Sequence, residues 1–463
     1  MIPRLHAMLR KLVAVVVTGS CLTLASAPAA QAESISDALI LAYKSSNILD
    51  QNRALLRAAD EDVAQAMAGL RPVVQFIAQS NFTAPAAPFR DNWTQRLSLN
   101  AELTLFDNGV TRYATDAAKE IVLGLRSALL DLEQQILLNA VQTYMEVIRA
   151  SQAVSLSQSN VRLITQELRA ARDRFEVGEV TRTDVSIAEA RLAAARGNFA
   201  ASQGDLAIAR EAYKAITGRY PGQLRWPPAP PVTARTLDAA IAIAVRRHPS
   251  IQEARHNVSA AEFNVARAQS SMGAKVTASA ALSATGNTAL SRTGSLTVQV
   301  PIYAGGQLRS LLRQSQARAD AARSALLQSV VTTKQEVGAA WASLSVAVAS
   351  TEASRLQVSA SQIAYNGVRE EARLGARTTL DVLNAEQELL DARSGLISAE
   401  TQQYIRVYAL MDAMGLLTVE HLGLGIVTYD PAAYYNSATA RPLRSISPQG
   451  QSLDRVLKYL GKN

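Results

Sequence analysis

Residues 93–106 read WTQRLSLNAELTLF, and the alternation inside them decides the fold. Leu97, Leu99, Ala101, Leu103 and Leu105 take turns with Arg96, Ser98, Asn100, Glu102 and Thr104. A period of two sends these sets to opposite faces of a strand, whereas a helix would mix them. The pattern returns later in the chain, where Leu296, Val298, Val300 and Ile302 stand against Ser295, Thr297 and Gln299. Preceding strands are expected from Val74 to Phe82 and from Val276 to Leu282. Each half of the chain thus offers two strands of about 9 to 13 residues joined by a polar loop. That is the length a tilted strand needs to cross a bilayer.

Four such strands cannot seal themselves. Unpaired backbone groups inside a bilayer cost several kcal/mol each, so a spanning sheet has to close. Closed membrane barrels begin at about eight strands, so this chain is expected to pool its strands with copies of itself.

Outward from the strands, the chain is written twice. A shift of about 202 positions places Ala38 on Ala240, Arg53 on Arg255 and Val63 on Val265. A shift of about 197 places Gly109 on Gly306, Gly178 on Gly375, Thr181 on Thr378, Asp184 on Asp381 and Gly218 on Gly415. A duplicated supersecondary layout follows, with a first repeat over 33–218, a Pro-rich linker over 219–234, a second repeat over 235–416 and a tail over 417–463. In each repeat a helix precedes the strands. The first, over 34–70, contains no proline and reads as one helix that stops before Pro72. Long proline-free helices follow the strands, from Val110 to Phe175 and from Gln307 to Arg373, each about 100 Å at 1.5 Å per residue. On the first of them Val122, Leu125, Leu129, Leu132 and Ile136 form one apolar stripe, and Leu137, Val141, Tyr144 and Ile148 form another. Two flanking stripes suit a helix packed on both sides. Shorter helices run from Asp184 to Ile216 and from Asp381 to Met414, with Gly218 and Gly415 as C-caps. The linker carries WPPAPP and has no helical option, and the tail is expected to be peripheral or partly disordered.

Residues 1–32 have the form of a secretory signal. Arg4, Arg10 and Lys11 precede an apolar run from Leu12 to Leu24, and small residues end at Ala32, so cleavage is expected before Glu33. The single cysteine, Cys21, lies within that run, which leaves the mature chain no thiol and no Cys metal site. A lipoprotein would need cleavage before Cys21, where the customary leucine three positions upstream is absent. Loss of the three basic residues leaves a net charge of about +5 without basic clusters, which argues against nucleic acid as a partner. No apolar stretch after the signal reaches the roughly 20 residues of a transmembrane helix. His248, His256 and His421 stand in no catalytic or metal-binding spacing, and no nucleotide-binding glycine pattern is present. Neither catalysis nor a cofactor is expected.

The turns joining long helix to short helix read VGEVTRTDV at 177–185 and LGARTTLDV at 374–382. Both stop a helix at glycine and start the next with a Thr-x-x-Asp capping box. Helix capping accounts for these residues fully. In a symmetric oligomer the same acids, if turned inward, would also form a ring of like charge around the axis.

The duplicated layout, LFDNG at 105–109, IYAGGQLRS at 302–310 and GARTTLDVLNAEQELLDAR at 375–393 resemble the TolC family of outer-membrane efflux ducts over residues 34–417. The resemblance implies a mainly α fold with membrane β. Its expected form is a homotrimer, with a 12-stranded barrel in the outer membrane continuous with a 12-helix tunnel across the periplasm. It implies a passive duct for proteins or small toxic compounds. The implied partners are a periplasmic adaptor protein and an inner-membrane transporter, either ABC-type or proton-driven. By residue it implies an entrance-closing link between Asp184 and Arg377, and an entrance ring at Asp381 and Asn384. Asn384 stands where the family carries a second aspartate, which halves the ring charge, and Ala372 replaces an aromatic partner in the link. YDPAAYY at 429–435 resembles the tail of the type I secretion subgroup. Combined with the period-two pattern, this reading turns Arg96, Asn100, Glu102 and Gln299 toward the barrel lumen. It turns Leu97, Leu99, Leu103, Leu296, Val298 and Val300 toward outer-membrane lipid. The competing architecture is a periplasmic coiled-coil adaptor or stalk, which would lack paired alternating hairpins in both halves.

Overall fold

The structure is a computed structural model that describes residues 33–82, 93–228, 230–231, 234–285 and 290–439, together with Arg455 and Tyr459. The expected signal segment and the end of the tail lie outside the described residues. In chain order the elements are α1 (Ile35–Ser45), α2 (Asn47–Ala68), β1 (Val73–Phe82), β2 (Trp93–Phe106), α3 (Val110–Glu176), α4 (Arg182–Thr217), α5 (Leu237–Arg247), α6 (Pro249–Ser270), β3 (Lys275–Thr285), β4 (Ser291–Gln299), α7 (Gln307–Arg373), α8 (Thr379–Ala413) and α9 (Pro431–Thr439). The order helix, helix, strand, strand, long helix, short helix occurs twice, as the internal repeat requires. The hairpin pair in both halves removes the stalk alternative.

Two expectations need correction. The helix expected over 34–70 is broken into α1 and α2 at Ser46, whose extended backbone lets its hydroxyl cap the Leu49 N–H at 3.3 Å. At the matching place in the second repeat His248 takes the cap, accepting from the Ser250 N–H, and Pro249 opens α6 where a missing N–H costs nothing. Proline flags the break in one copy and nothing flags it in the other. The second correction is the end of β4, which stops at Gln299. Pro301 has no N–H for a ladder, so Val300 and Ile302 fall beyond the strand.

The chain forms two compact units. Among the described residues, the first comprises Glu33–Ser45, Asn139–Pro230 and Ser350–Ile405. Its α3 segment packs Ile164 and Leu168 against Ala188, Leu192 and Ala195 of α4 and Leu383 of α8. A second cluster joins Tyr365 of α7 to Val382 and Leu389 of α8. Glu33 is the polar centre of this unit. It is buried, its backbone bridges Leu224, and its carboxylate accepts from Tyr213 Oη (2.8 Å), Arg219 Nη2 (3.0 Å) and Gly222 N (3.2 Å). Tyr144 Oη donates to the Glu33 and Arg225 carbonyls. The residue expected to lead the mature chain is therefore stitched into the linker.

The second unit comprises Ser46–Leu138, Pro231–Ala349 and the chain from Arg406 on. It holds a four-stranded antiparallel sheet in the order β1-β2-β3-β4, with a bulge between Thr104 and Phe106. Leu56, Ala59 and Val63 of α2 pack on Val122 of α3, and Ala240 and Ala244 of α5 pack on Val337 of α7 with Leu410 and Met414. Gly415 has φ +72°, and a Cβ there would lie 2.8 Å from His248 Cα, so only glycine fits. Residues 429–435 of the tail are docked rather than loose. Arg53 lies over the Tyr429 ring (5.6 Å) and Arg126 over the Tyr435 ring (5.4 Å), while Tyr434 Oη donates to Glu61 Oε1 at 2.9 Å.

Candidate functional site

Two places in the molecule carry the residues singled out in the sequence. In the first unit, the turns after α3 and α7 each build the same cap. Thr181 N and Oγ1 donate to Asp184 Oδ2 (2.9 and 2.7 Å), and Asp184 N returns a bond to Thr181 Oγ1. Thr378 and Asp381 repeat this at 3.0, 2.9 and 3.2 Å. The cap lowers both acids. The Thr181 hydroxyl, then its N–H, holds Asp184 below the ordinary carboxylate range, and the Thr378 N–H, then its hydroxyl, does so for Asp381. The glycines that end the long helices, Gly178 and Gly375, are both left-handed at φ +81°.

A cleft of about 960 Å³ is walled by both turns, with Glu167, Arg174, Asp184, Arg369, Arg377 and Val382 among its lining. Asp184 and Arg377 thus border one space, but the link between them is not formed. Arg377 Nε donates instead to Glu371 Oε2 at 2.9 Å, and Asp184 stays in its cap. Glu371, six residues back on α7, is within reach of the long guanidinium as soon as the chain turns at Gly375. That partner is visible only once the turn is built. The pairing raises the Arg377 guanidinium further above its usual range. Asn384, expected at an entrance ring, accepts from Arg191 Nη2 of α4 at 3.1 Å, a bond that ties α8 to α4. Sequence reasoning passed over Glu386. It lies on α8 four residues after Val382 and three before Leu389, in register with an apolar stripe, and that spacing was the available signal.

In the second unit the pairing register fixes which strand residues share a face, because directly opposed residues point the same way. Leu97 pairs with Ala78 and Ala284, Leu99 with Phe76 and Leu282, and Leu103 with Ala278, which in turn faces Leu296. Val276 faces Val298 in the same set. Asn100 pairs with Gln75 and Ala281, Arg96 with Gln79 and Thr285, Glu102 with Ser279, and Gln299 with Lys275. One face of the sheet is therefore mainly apolar and the other mainly polar, with Ser80, Gln95 and Arg292 standing on the first and Val73 and Ile77 on the second. The apolar face is uncovered, with Phe76 69% and Leu296 66% exposed. Val300 does not belong to this array, since it follows the end of β4. Phe82 and Trp93 close the β1–β2 ladder with ring centroids 5.1 Å apart.

Among the described residues no helix is long and apolar enough to cross a membrane.

The outer membrane efflux protein family model matches residues 40–219 and 240–416, one match per repeat. The chain is 34% identical to the outer membrane efflux protein BepC of Brucella suis biovar 1 (strain 1330) over 95% of its own length and 97% of that protein's. It is 25% identical to the outer membrane protein TolC of Escherichia coli (strain K12), covering 85% and 84% of the two chains. A crystal structure of CusC superimposes with a TM-score of 0.74 at 18% identity, over 83% of this chain and 92% of that one. With both repeats matched and 34% identity to BepC held over nearly the whole of both chains, this chain belongs to the outer membrane efflux protein family.

Proposed function

We propose that three copies of this chain form the outer-membrane duct of a tripartite export system. They act as a passive conduit that an inner-membrane transporter drives through a periplasmic adaptor. The carrying observation is the sheet: four strands in the order β1-β2-β3-β4, whose outer edges are unpaired among the described residues, with one mainly apolar face and one mainly polar face. Three copies give a 12-stranded barrel, which closes every edge and turns Leu97, Leu99, Leu103, Leu296 and Val298 to lipid. Arg96, Asn100, Glu102 and Gln299 then line the lumen. The turns at 177–185 and 374–382 form the periplasmic entrance, with Asp381 as the charged ring and Asn384 as its uncharged neighbour. Arg377, held by Glu371, is the cation that can exchange partners toward Asp184 when the cleft narrows. Among the relatives, PrtF of Dickeya chrysanthemi is named a proteases secretion protein and CusC a cation efflux system protein, so the family accommodates both classes of cargo. The duct itself turns nothing over.

The test is physical. Mature protein extracted from outer membranes in detergent is expected to have the mass of three protomers and to give discrete conductance steps in a planar bilayer. A monodisperse monomer released without surfactant would remove the reading.

A further inference from the structure

On α8, Val382, Ala385 and Leu389 pack against Leu163 of α3 and Tyr365, Val368 and Ala372 of α7. Glu386 sits within this apolar stripe. It is 4% exposed, and neither carboxylate oxygen receives a hydrogen bond from any described residue. The Tyr365 hydroxyl, on the facing helix, is also buried and without a partner. Each packed element presents its charged groups without pairing them to Glu386. Glu167 of α3 adds a like charge, and Arg369 of α7 attracts from a distance. From α4, Arg191 is taken by Asn384, and on α8 itself Arg393 is taken by Gln362. Because the burial arises within one chain, assembly with other copies cannot relieve it. An ionised carboxylate held there has lost its water and gained nothing in return, so the packing favours the proton-bearing form.

We propose that Glu386 is a gating residue whose protonation holds α8 against α3 and α7, and whose ionisation parts them so that the carboxylate reaches water. This rests on reading the turns at 177–185 and 374–382 as the duct entrance. It gives that entrance a control separate from the capped acids Asp184 and Asp381, which are already solvated and bonded in their ionised state. Burial, reinforced by Glu167 and opposed by Arg369, pushes the Glu386 carboxyl up to about 7. A raised carboxyl stabilises the packed arrangement fully below the ordinary range, near 4.5, and that contribution is lost as pH rises through about 7. The entrance is therefore expected to open more readily toward neutral and alkaline pH.

The test uses the full-length mature protein in planar bilayers between about pH 4.5 and about pH 8.5, bracketing the Glu386 carboxyl. In wild type, the ratio of open to closed dwell time is expected to rise roughly tenfold across this range. Glu386→Gln, which cannot ionise, is expected to stay closed and lose the pH dependence. Tyr365→Phe is expected to keep it, since the tyrosine does not titrate there. A wild-type profile that is flat overturns the proposal whether or not the variants assemble, and so does a Glu386→Gln profile with the wild-type slope. Absence of any conductance step from wild type at every pH overturns the duct reading itself, and the proposal with it.

Discussion

Glu33 shows how much one buried carboxylate can tie together. Three donors converge on it, and Tyr213, fully buried, has this acid as its hydroxyl partner. Glu33→Ala would leave the tyrosine hydroxyl unpaired in the core, and a cost of about 2 to 4 kcal/mol is expected in chemical denaturation. Asp60 behaves differently. It is fully buried, its oxygens have no hydrogen-bond partner among the described residues, and burial raises its carboxyl to about 6 despite the nearby Arg126. Its neutral form suits the fold, so its contribution is complete below the ordinary range and is lost as pH rises through about 6. Asp60→Asn is expected to raise the melting temperature near pH 8 by the equivalent of up to about 3 kcal/mol, and to leave it unchanged near pH 4. Equal shifts at both values would contradict the burial argument. Arg377 and Glu371 are each about half exposed, so solvent screens the pair and Arg377→Ala is expected to leave stability nearly unchanged in chemical denaturation. Its effect belongs in the single-channel record, as a larger open probability. The caps at Thr181 and Thr378 were legible because capping is decided within four residues. The partner of Arg377 was not, because a long side chain chooses among acids brought near by the turn.

At the scale of elements, period and length carried most of the information. The extents of β2 and α7 read directly from the alternation and from the absence of proline, and those of α3 to within a residue. The break at Ser46 stayed hidden because a serine inside a helix-favouring run has a cap's chemistry but need not use it. The β4 end was missed because the alternation continues past Gln299 while Pro301 removes the donor that would continue the ladder. Sheet faces permit a comparison of neighbours. Leu99→Arg puts a charge on the apolar face and is expected to cut trimer yield in outer membranes severely, whereas Asn100→Arg on the polar face is expected to be tolerated. Equal yields would remove the face assignment. Helix ends give a second contrast. Gly178→Ala meets open space and carries only the left-handed backbone cost of about 1 kcal/mol, while Gly415→Ala must also displace the His248 backbone. Thermal melts are expected to show the second as clearly the more damaging.

For the whole molecule, the open sheet is what binds function to assembly. A sheet with two edges unpaired among the described residues and an uncovered apolar face is incomplete alone, and in the proposed duct the closing of three such sheets into one barrel would make the membrane pore and the oligomer the same event. Stability of the barrel is then inseparable from protomer association, so its unfolding midpoint is expected to rise with protein concentration in detergent.

Local patterning was enough for the duplicated layout, for the faces of β2 and for the caps at Thr181 and Thr378, because each rests on periodicity or on residues a few positions apart. The choice of acid that holds Arg377, the seating of residues 429–435 on α2, and the burial of Glu386 with no hydrogen-bond partner among the described residues came from the tertiary structure. Those outcomes depend on distances between segments far apart in the chain, and burial of a charge is a property of everything around it rather than of its own neighbours in sequence.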